Sequence, residues 1–173
     1  MKEFLSFYCQ YNIWANQKLA DFFQNKPEEQ LSSFIENSFP SIRKTVLHIL
    51  SAERSWLSRM QQDNTYNKSV KDEFQSTSQA FDSLVKCSNK FKLFVSDQNE
   101  YFLESPLKYN TWDGTSWEMQ PKTMIHHCMN HSTYHRGQLI TMARQLEWKD
   151  DIPSTDILFY WRENAEGNSS NRL

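Results

Sequence analysis

The sequence predicts an all-α protein: a four-helix bundle with a short hairpin-like insert before the fourth helix and a short C-terminal helix. Three observations lead to this prediction. The 173 residues include only 3 Gly and 5 Pro, fewer than glycine-dependent nucleotide-binding folds and turn-rich β-sandwiches require. Aromatic residues make up 14% of the chain, a composition typical of a packed core and not of disorder. Apolar residues also recur every three or four positions in four long blocks, which is the period of an amphipathic helix.

Each of the four blocks has an apolar stripe and a recognisable boundary. The first must end before Pro27, because the residue preceding a proline disfavours helical geometry. Pro40 and Pro121 lie where the second and fourth blocks begin, and a proline is well tolerated in the first turn of a helix. The predicted helices cover about residues 2–24, 40–62, 72–96 and 121–147, and the polar stretch 61–69 reads as a loop.

Two shorter segments complete the predicted architecture. Residues 107–119 place Asp113–Gly114 between threonine- and aromatic-containing stretches, which predicts a β-hairpin inserted between helices. Residues 153–161 form a short apolar segment that we expect to dock on the bundle. We therefore expect one domain over residues 1–162, followed by a polar, frayed tail over 163–173.

Charge and cysteine content exclude several classes of protein. The net charge is −2 and the pI is about 6.2, which argues against a nucleic-acid-binding protein. No apolar run approaches the ~18–20 residues of a membrane span. Three scattered cysteines without a CxxC motif (Cys9, Cys87 and Cys128) indicate neither a disulfide scaffold nor a cysteine zinc site. With no signal-peptide pattern at the N-terminus, we expect a cytoplasmic protein with buried thiols.

The histidines are the main chemical signal. Four of the five crowd into ten residues of the predicted fourth helix, at His126, His127, His131 and His135. The pairs 127/131 and 131/135 both have i, i+4 spacing, which places two rings one turn and ~40° apart on a helix. Either pair can therefore hold one metal ion. His126 lies well round the helix from the other three.

The apolar sector of the fourth helix favours one pair by a modest margin. His135 falls among the apolar side chains of this helix, such as Met124 and Met142, whereas His127 falls ~40° away from His131 on the polar side. His48 borders the apolar face of the second helix and can supply a third ligand. Three imidazoles would leave open coordination positions, as in catalytic metal sites. Imidazole suits Zn, Ni, Fe or Cu, so the metal's identity stays open.

Four motifs, in matching order, resemble those of the DinB/YfiT-like family. The most specific is HHCMNHSTYHRGQLITMARQL, with its H-x3-H-R-G-Q core. The other three motifs of the family resemble the segments SFPSIRKTVLHILSAERSWLSRM, QYNIWANQKL and PSTDILFYWR. The resemblance covers about residues 3–162, which is nearly the whole chain.

The resemblance implies a four-helix bundle, usually a homodimer, with a divalent metal held by His48, His131 and His135. Zinc and nickel are the metals associated with the fold, and characterised relatives include thiol-dependent S-transferases and a mycothiol-dependent isomerase. We therefore expect a metal-dependent S-transferase that uses a low-molecular-weight thiol and acts on a small electrophile. A metal-dependent hydrolase of a small molecule and a non-catalytic metal-binding or interaction module stay open as alternatives. The family's name refers to DNA-damage induction and does not imply DNA binding.

Four polar residues of these motifs have weaker predictions. Asn16 could cap a helix, bridge water or face the site. Arg136 is expected to pair between helices or across a dimer. Gln138 lies within ~20° of His131 on the helical wheel and could reach the groups behind the metal ligands. Asp156 could orient a ligand histidine or cap the C-terminal helix.

Overall fold

A computed structural model describes residues 1–63, 74–111 and 113–169. Within these ranges the chain forms seven helices and one two-stranded sheet. The elements are α1 (Lys2–Phe23), α2 (Glu28–Ser32), α3 (Ile42–Met60), α4 (Thr77–Asp97), α5 (Glu100–Glu104), β1 (Leu107–Asn110), β2 (Ser116–Met119), α6 (Pro121–Gln145) and α7 (Ile157–Ser169).

The four long helices α1, α3, α4 and α6 pack as a bundle. Both α1 and α3 pack against α4 and α6, so the four helices close into a ring around a shared interior. The predicted all-α fold class is confirmed. In the described part of the chain, no helix combines the length and the apolar composition of a membrane span.

Local capping sets where the helices begin. The Ser41 hydroxyl accepts from the Lys44 amide at the start of α3, and the Ser76 hydroxyl accepts from the Gln79 amide at the start of α4. Each bond satisfies one of the amides that the first helical turn leaves unpaired. The prediction that the third helix begins near residue 72 was wrong, because the Ser76 cap starts it at Thr77. Most of the predicted loop at 61–69 lies outside the described residues.

The predicted hairpin is confirmed. Strands β1 and β2 pair antiparallel, with Leu107 opposite Met119 and Asn110 opposite Ser116. Gly114 in the connecting turn has a φ of +83°, a left-handed conformation that glycine adopts without steric cost. The hairpin joins the one-turn helix α5 to the start of α6.

The C-terminal helix is longer than predicted. It continues past the predicted boundary at residue 162 to Ser169. Its first turns pack on α1 through Tyr160, whose ring contacts the rings of Phe7 and Trp14. Glu163 then accepts hydrogen bonds from Trp14 Nε1 at 2.7 Å and from Lys18 Nζ at 3.0 Å. Both contacts join residues that lie far apart in the sequence. They hold residue 163 against α1, whereas the composition of the segment had indicated a frayed tail.

The interior consists of two apolar halves separated by a polar layer. One half contains Leu19, Val46, Leu84 and Leu139 among its buried residues. The other is represented by Leu5, Leu57, Phe91 and Met124. Between them, each long helix contributes buried polar side chains: Asn12 and Asn16 from α1, Glu53 from α3, Ser88 from α4, and Ser132 and Arg136 from α6. The histidine site lies beside this layer, on α3 and α6.

Candidate metal centre

Three histidines from two neighbouring helices converge at one point. His48 comes from α3, and His131 and His135 come from successive turns of α6. One ring nitrogen from each lies within 4.8 Å of the other two. The closest pair is His48 Nε2 and His131 Nε2, which are 3.0 Å apart. The structure thus brings together the three residues that the sequence proposed as metal ligands.

The spacing of the two facing nitrogens fits a shared metal ion. Imidazole nitrogens bind zinc at about 2.0–2.1 Å, so two ligands in a tetrahedral arrangement are about 3.3 Å apart. Two unprotonated nitrogens facing each other at 3.0 Å would repel each other unless a cation or a proton lay between them. His131 Nδ1 is buried and has no hydrogen-bond partner among the described residues, so this ring engages its surroundings through Nε2. The donor set therefore suits a divalent transition metal.

A hydrogen bond orients the third histidine. His135 Nδ1 lies 2.7 Å from Gln138 Oε1, and Gln138 Nε2 donates to Ser38 Oγ at 3.3 Å. Because the amide oxygen can only accept, this arrangement assigns the His135 proton to Nδ1 and leaves a lone pair on Nε2. A bond of this kind fixes the tautomer and the ring direction of a metal ligand. Gln138 therefore lies behind His135, which matches the prediction that it could reach the groups behind the metal ligands.

The protein environment keeps the three imidazoles neutral. Burial lowers the pKa of His131 to about 3, and the neighbouring histidines add to the effect. Burial, together with His135, lowers the pKa of His48 to about 4. Burial also lowers the pKa of His135, although the hydrogen bond with Gln138 opposes this. All three are neutral at pH 7, the protonation state that a metal requires.

The lowered pKa values predict how the metal-free protein responds to acid. Between pH 7 and 5 the unfolded chain protonates His131 near its usual pKa of ~6.5, while the folded chain, with a pKa of about 3, does not. The unfolded state then binds more protons, so stability falls as the pH falls. We expect His131 alone to account for a loss of about 1–2 kcal/mol over this range.

Urea denaturation with a chelator at pH 7 and pH 5 measures this effect. The variant His131→Gln should lose less stability than the native chain over the same range, because glutamine does not titrate. Equal losses in the two proteins would show that His131 titrates normally in the folded state.

Aromatic rings cover one end of the site. The ring of Phe39, from the segment before α3, stacks on His48 with centroids 3.9 Å apart and planes 21° apart. The same ring meets His135 edge to face at 5.5 Å, and Tyr134 packs on His135 at 4.9 Å. No local pattern in the sequence pointed to Phe39, because it reaches the site through the path of a loop.

His127 and His126 lie outside the three-histidine group. The His127 ring is 6.0 Å from that of His131 and packs instead against Trp56 at 4.9 Å. His126 contacts Tyr8 on a different side of α6. Spacing alone left open whether His131 pairs with His127 or with His135. In the structure His135 lies with His131 and His48, and His127 does not.

The polar layer behind the site contains Glu53, a residue that sequence reasoning missed. Glu53 is fully buried, and its carboxylate accepts hydrogen bonds from Asn12 at 2.8 Å, Ser88 at 2.6 Å and Ser132 at 3.2 Å. Burial raises the pKa of Glu53, while these hydrogen bonds and the charge of Arg136 oppose the rise. The sequence did contain a signal for this residue, because Glu53 falls among the apolar positions of the predicted second helix.

Arg136 connects helices, as predicted, but its partners are not carboxylates. Its guanidinium donates to the side-chain oxygens of Asn12 and Asn16 on α1 and to the Thr133 hydroxyl. Asp156 accepts from the Leu158 amide at 2.8 Å, at the start of α7. Of its two predicted roles, this contact matches the capping role.

Comparison with known proteins identifies the family of the chain. The chain is 24% identical to protein DinB of Bacillus subtilis (strain 168) over 152 residues, which are 84% of this chain and 87% of that protein. The model of the DinB family matches residues 1–165. With nearly the whole sequence covered by that match, the chain belongs to the DinB family.

Proposed function

We propose that His48, His131 and His135 bind one divalent ion, zinc or nickel, and that the protein is a metal-dependent S-transferase. In this proposal a low-molecular-weight thiol is the cosubstrate and a small electrophile is the acceptor. The observation that carries the proposal is the cluster of three neutral imidazoles, with ligand atoms within 4.8 Å of one another and no carboxylate in the set.

Such a set suits thiol chemistry. A divalent ion held by neutral ligands keeps its full charge and lowers the pKa of a nearby thiol or water. Phe39 and Tyr134 pack on the histidine rings at one end of the site. Gln138 keeps the His135 proton on Nδ1, so that Nε2 stays available as a ligand.

The protein's own cysteines do not supply the nucleophile. Cys9, Cys87 and Cys128 are all buried. Burial raises the pKa of Cys9 and of Cys87 to about 12, and raises that of Cys128 well above its usual value. Because the thiolate is the reactive form, the thiol in this proposal comes from a cosubstrate.

The proposed reaction is a simple substitution at carbon. The thiol gives up its proton, its sulfur forms a C–S bond with the electrophilic carbon, and the leaving group departs with the electron pair of the broken bond. Hydrolysis is the second candidate, because the same ion would also lower the pKa of a water molecule. The two reactions differ in whether turnover needs added thiol.

The test uses the purified protein loaded with zinc or nickel, together with 1-chloro-2,4-dinitrobenzene and glutathione. We expect about one ion per chain by elemental analysis, and thioether formation above the uncatalysed rate. His48→Ala and His135→Ala should lose both the ion and the activity. Metal binding without thioether formation with any thiol and electrophile tried would reject the transferase. Thiol-independent ester cleavage would favour the hydrolase, and no turnover of either kind would favour a non-catalytic module.

Two further properties belong to the same proposal. The family resemblance implies a homodimer, which light scattering on the eluting protein would measure. A cytoplasmic location suits the proposed chemistry, because thiols stay reduced there. Cell fractionation would test that location.

A further inference from the structure

Arg59 lies on the same face of α3 as the metal ligand His48. The two residues are eleven positions apart, which corresponds to about 20° around the helix and roughly 16 Å along its axis. Ala52 and Ser55 occupy the same stripe between them, and both are partly exposed. The stripe is therefore a surface of small side chains between the histidines and the guanidinium of Arg59.

Aromatic rings hold Arg59 in place. Its Cζ atom lies 4.5 Å from the centroid of Trp56 and 5.1 Å from that of Tyr109, on β1. Trp56 is one turn closer to His48 along α3, so the guanidinium leans back toward the metal centre. Stacking on two rings limits the rotamers of a long side chain and so prepares it to bind.

A continuous series of ring contacts connects Arg59 with the site. Trp56 packs on His127 at 4.9 Å, and His127 lies 6.0 Å from His131. The opposite end of the site is covered by Phe39. A molecule that reaches the histidines from the uncovered side would thus pass His127 and extend toward Arg59.

Among the residues that the structure describes, the guanidinium has no anionic partner. Across residues 1–63, 74–111 and 113–169, no carboxylate pairs with it and no side chain accepts a hydrogen bond from it. It is half-buried, and burial lowers its pKa. A partly desolvated cation with unused donors gains most from an anion that forms charge-assisted hydrogen bonds. The flat guanidinium matches a carboxylate, which it can bind through two parallel bonds.

We propose that Arg59, stacked on Trp56 and Tyr109, forms a subsite that binds a carboxylate of the low-molecular-weight thiol. The inference rests on the proposed function only for the identity of the bound molecule. It names the class of cosubstrate: a thiol whose carboxylate lies several bonds away from its sulfur, so that one end reaches the histidines while the other meets Arg59.

Two matched ligands test the subsite by binding alone. Glutathione carries free carboxylates, and in glutathione diethyl ester the same groups are esterified. Calorimetry on the zinc-loaded protein should show that the native chain binds the acid about tenfold more tightly than the ester, the value of one charge-assisted hydrogen-bonded pair. Arg59→Gln should reduce this preference to about one.

A second cation on aromatic rings provides the control. Lys26 Nζ lies 4.7 Å from the ring centroid of Phe22 and 5.5 Å from that of Trp148, and neither ring is among those that contact Arg59 or the three histidines. Lys26→Gln removes the same charge and should keep the tenfold preference. An equal preference in the native and Arg59→Gln proteins, or no binding or no preference in the native protein, would overturn the subsite.

S-methylglutathione and its diethyl ester separate this proposal from the proposed function. Neither compound can form a thiolate, so their binding does not depend on thiol transfer. An Arg59-dependent preference for the acid without any turnover would retain the subsite and reject the transferase. Turnover with no such preference would retain the transferase and reject the subsite.

Discussion

Replacing His131 by alanine should weaken metal binding more than about 100-fold while the bundle stays folded. His131 supplies the nitrogen that lies 3.0 Å from His48 Nε2, so its loss removes one of the three proposed ligands and the closest pair. Changing a residue that only supports a ligand already costs 10–100-fold in metal affinity, and removing the ligand itself should cost more. The two apolar halves of the interior contain none of the three histidines, so folding should not depend on the ion. A titration against a chelator of known affinity, with a thermal melt followed by circular dichroism, measures both effects.

His127→Ala is the matched control. His127 is one turn from His131 on the same helix, is exposed, and lies outside the three-histidine group. Its removal should leave the metal affinity unchanged within a factor of about two. An equal loss of affinity in both variants would show that the ion sits elsewhere on α6. Unfolding of His131→Ala would make the metal structural, as in domains that fold only when loaded.

Replacing Glu53 by alanine should lower the free energy of unfolding by about 3–5 kcal/mol. The carboxylate is fully buried and accepts hydrogen bonds from α1, α4 and α6. Its removal would leave these donors unsatisfied and the charge of Arg136, 1% exposed, without a nearby counter-charge. Urea denaturation at pH 7 gives the free energy directly.

Glu53→Gln separates the role of the negative charge from that of the shape. Glutamine fits the same space and keeps one oxygen as an acceptor, so we expect it to cost less than alanine. A loss below about 1 kcal/mol for Glu53→Ala would show that the polar layer contributes little to stability. Equal losses for the two variants would assign the effect to the negative charge.

Most of the helices could be predicted because their signals are local. The apolar period of 3.6 residues marks α1, α3 and α6, and Asp113–Gly114 marks the turn of the hairpin. The pair His131 and His135 followed from spacing and from the apolar sector of one helix. The error at the start of α4 has a local cause, the Ser76 cap, whereas the error in the length of α7 concerns contacts between distant parts of the chain. The extension of α7 depends on the contact of Glu163 with Trp14, which no local pattern encodes.

The three histidines of the candidate site were predictable, but their surroundings were not. Histidine is rare enough in this chain for five positions to define the options. Phenylalanine is common, with 12 in the sequence, so nothing distinguished Phe39 from core residues. The role of Glu53 could not be predicted either, because its hydrogen-bond partners come from three other helices.

The polar layer also fixes the axial register of the bundle. Two amphipathic helices can slide by one turn, about 5.4 Å, and still bury apolar side chains against each other. Here a slip of α3 by one turn along α4 would move the Glu53 carboxylate from Ser88 to the level of Leu84 or Phe91, both almost fully buried. An unpaired carboxylate at either level would cost several kcal/mol. Because His48 is on the helix that carries Glu53, the alignment that satisfies this carboxylate also sets His48 level with His131.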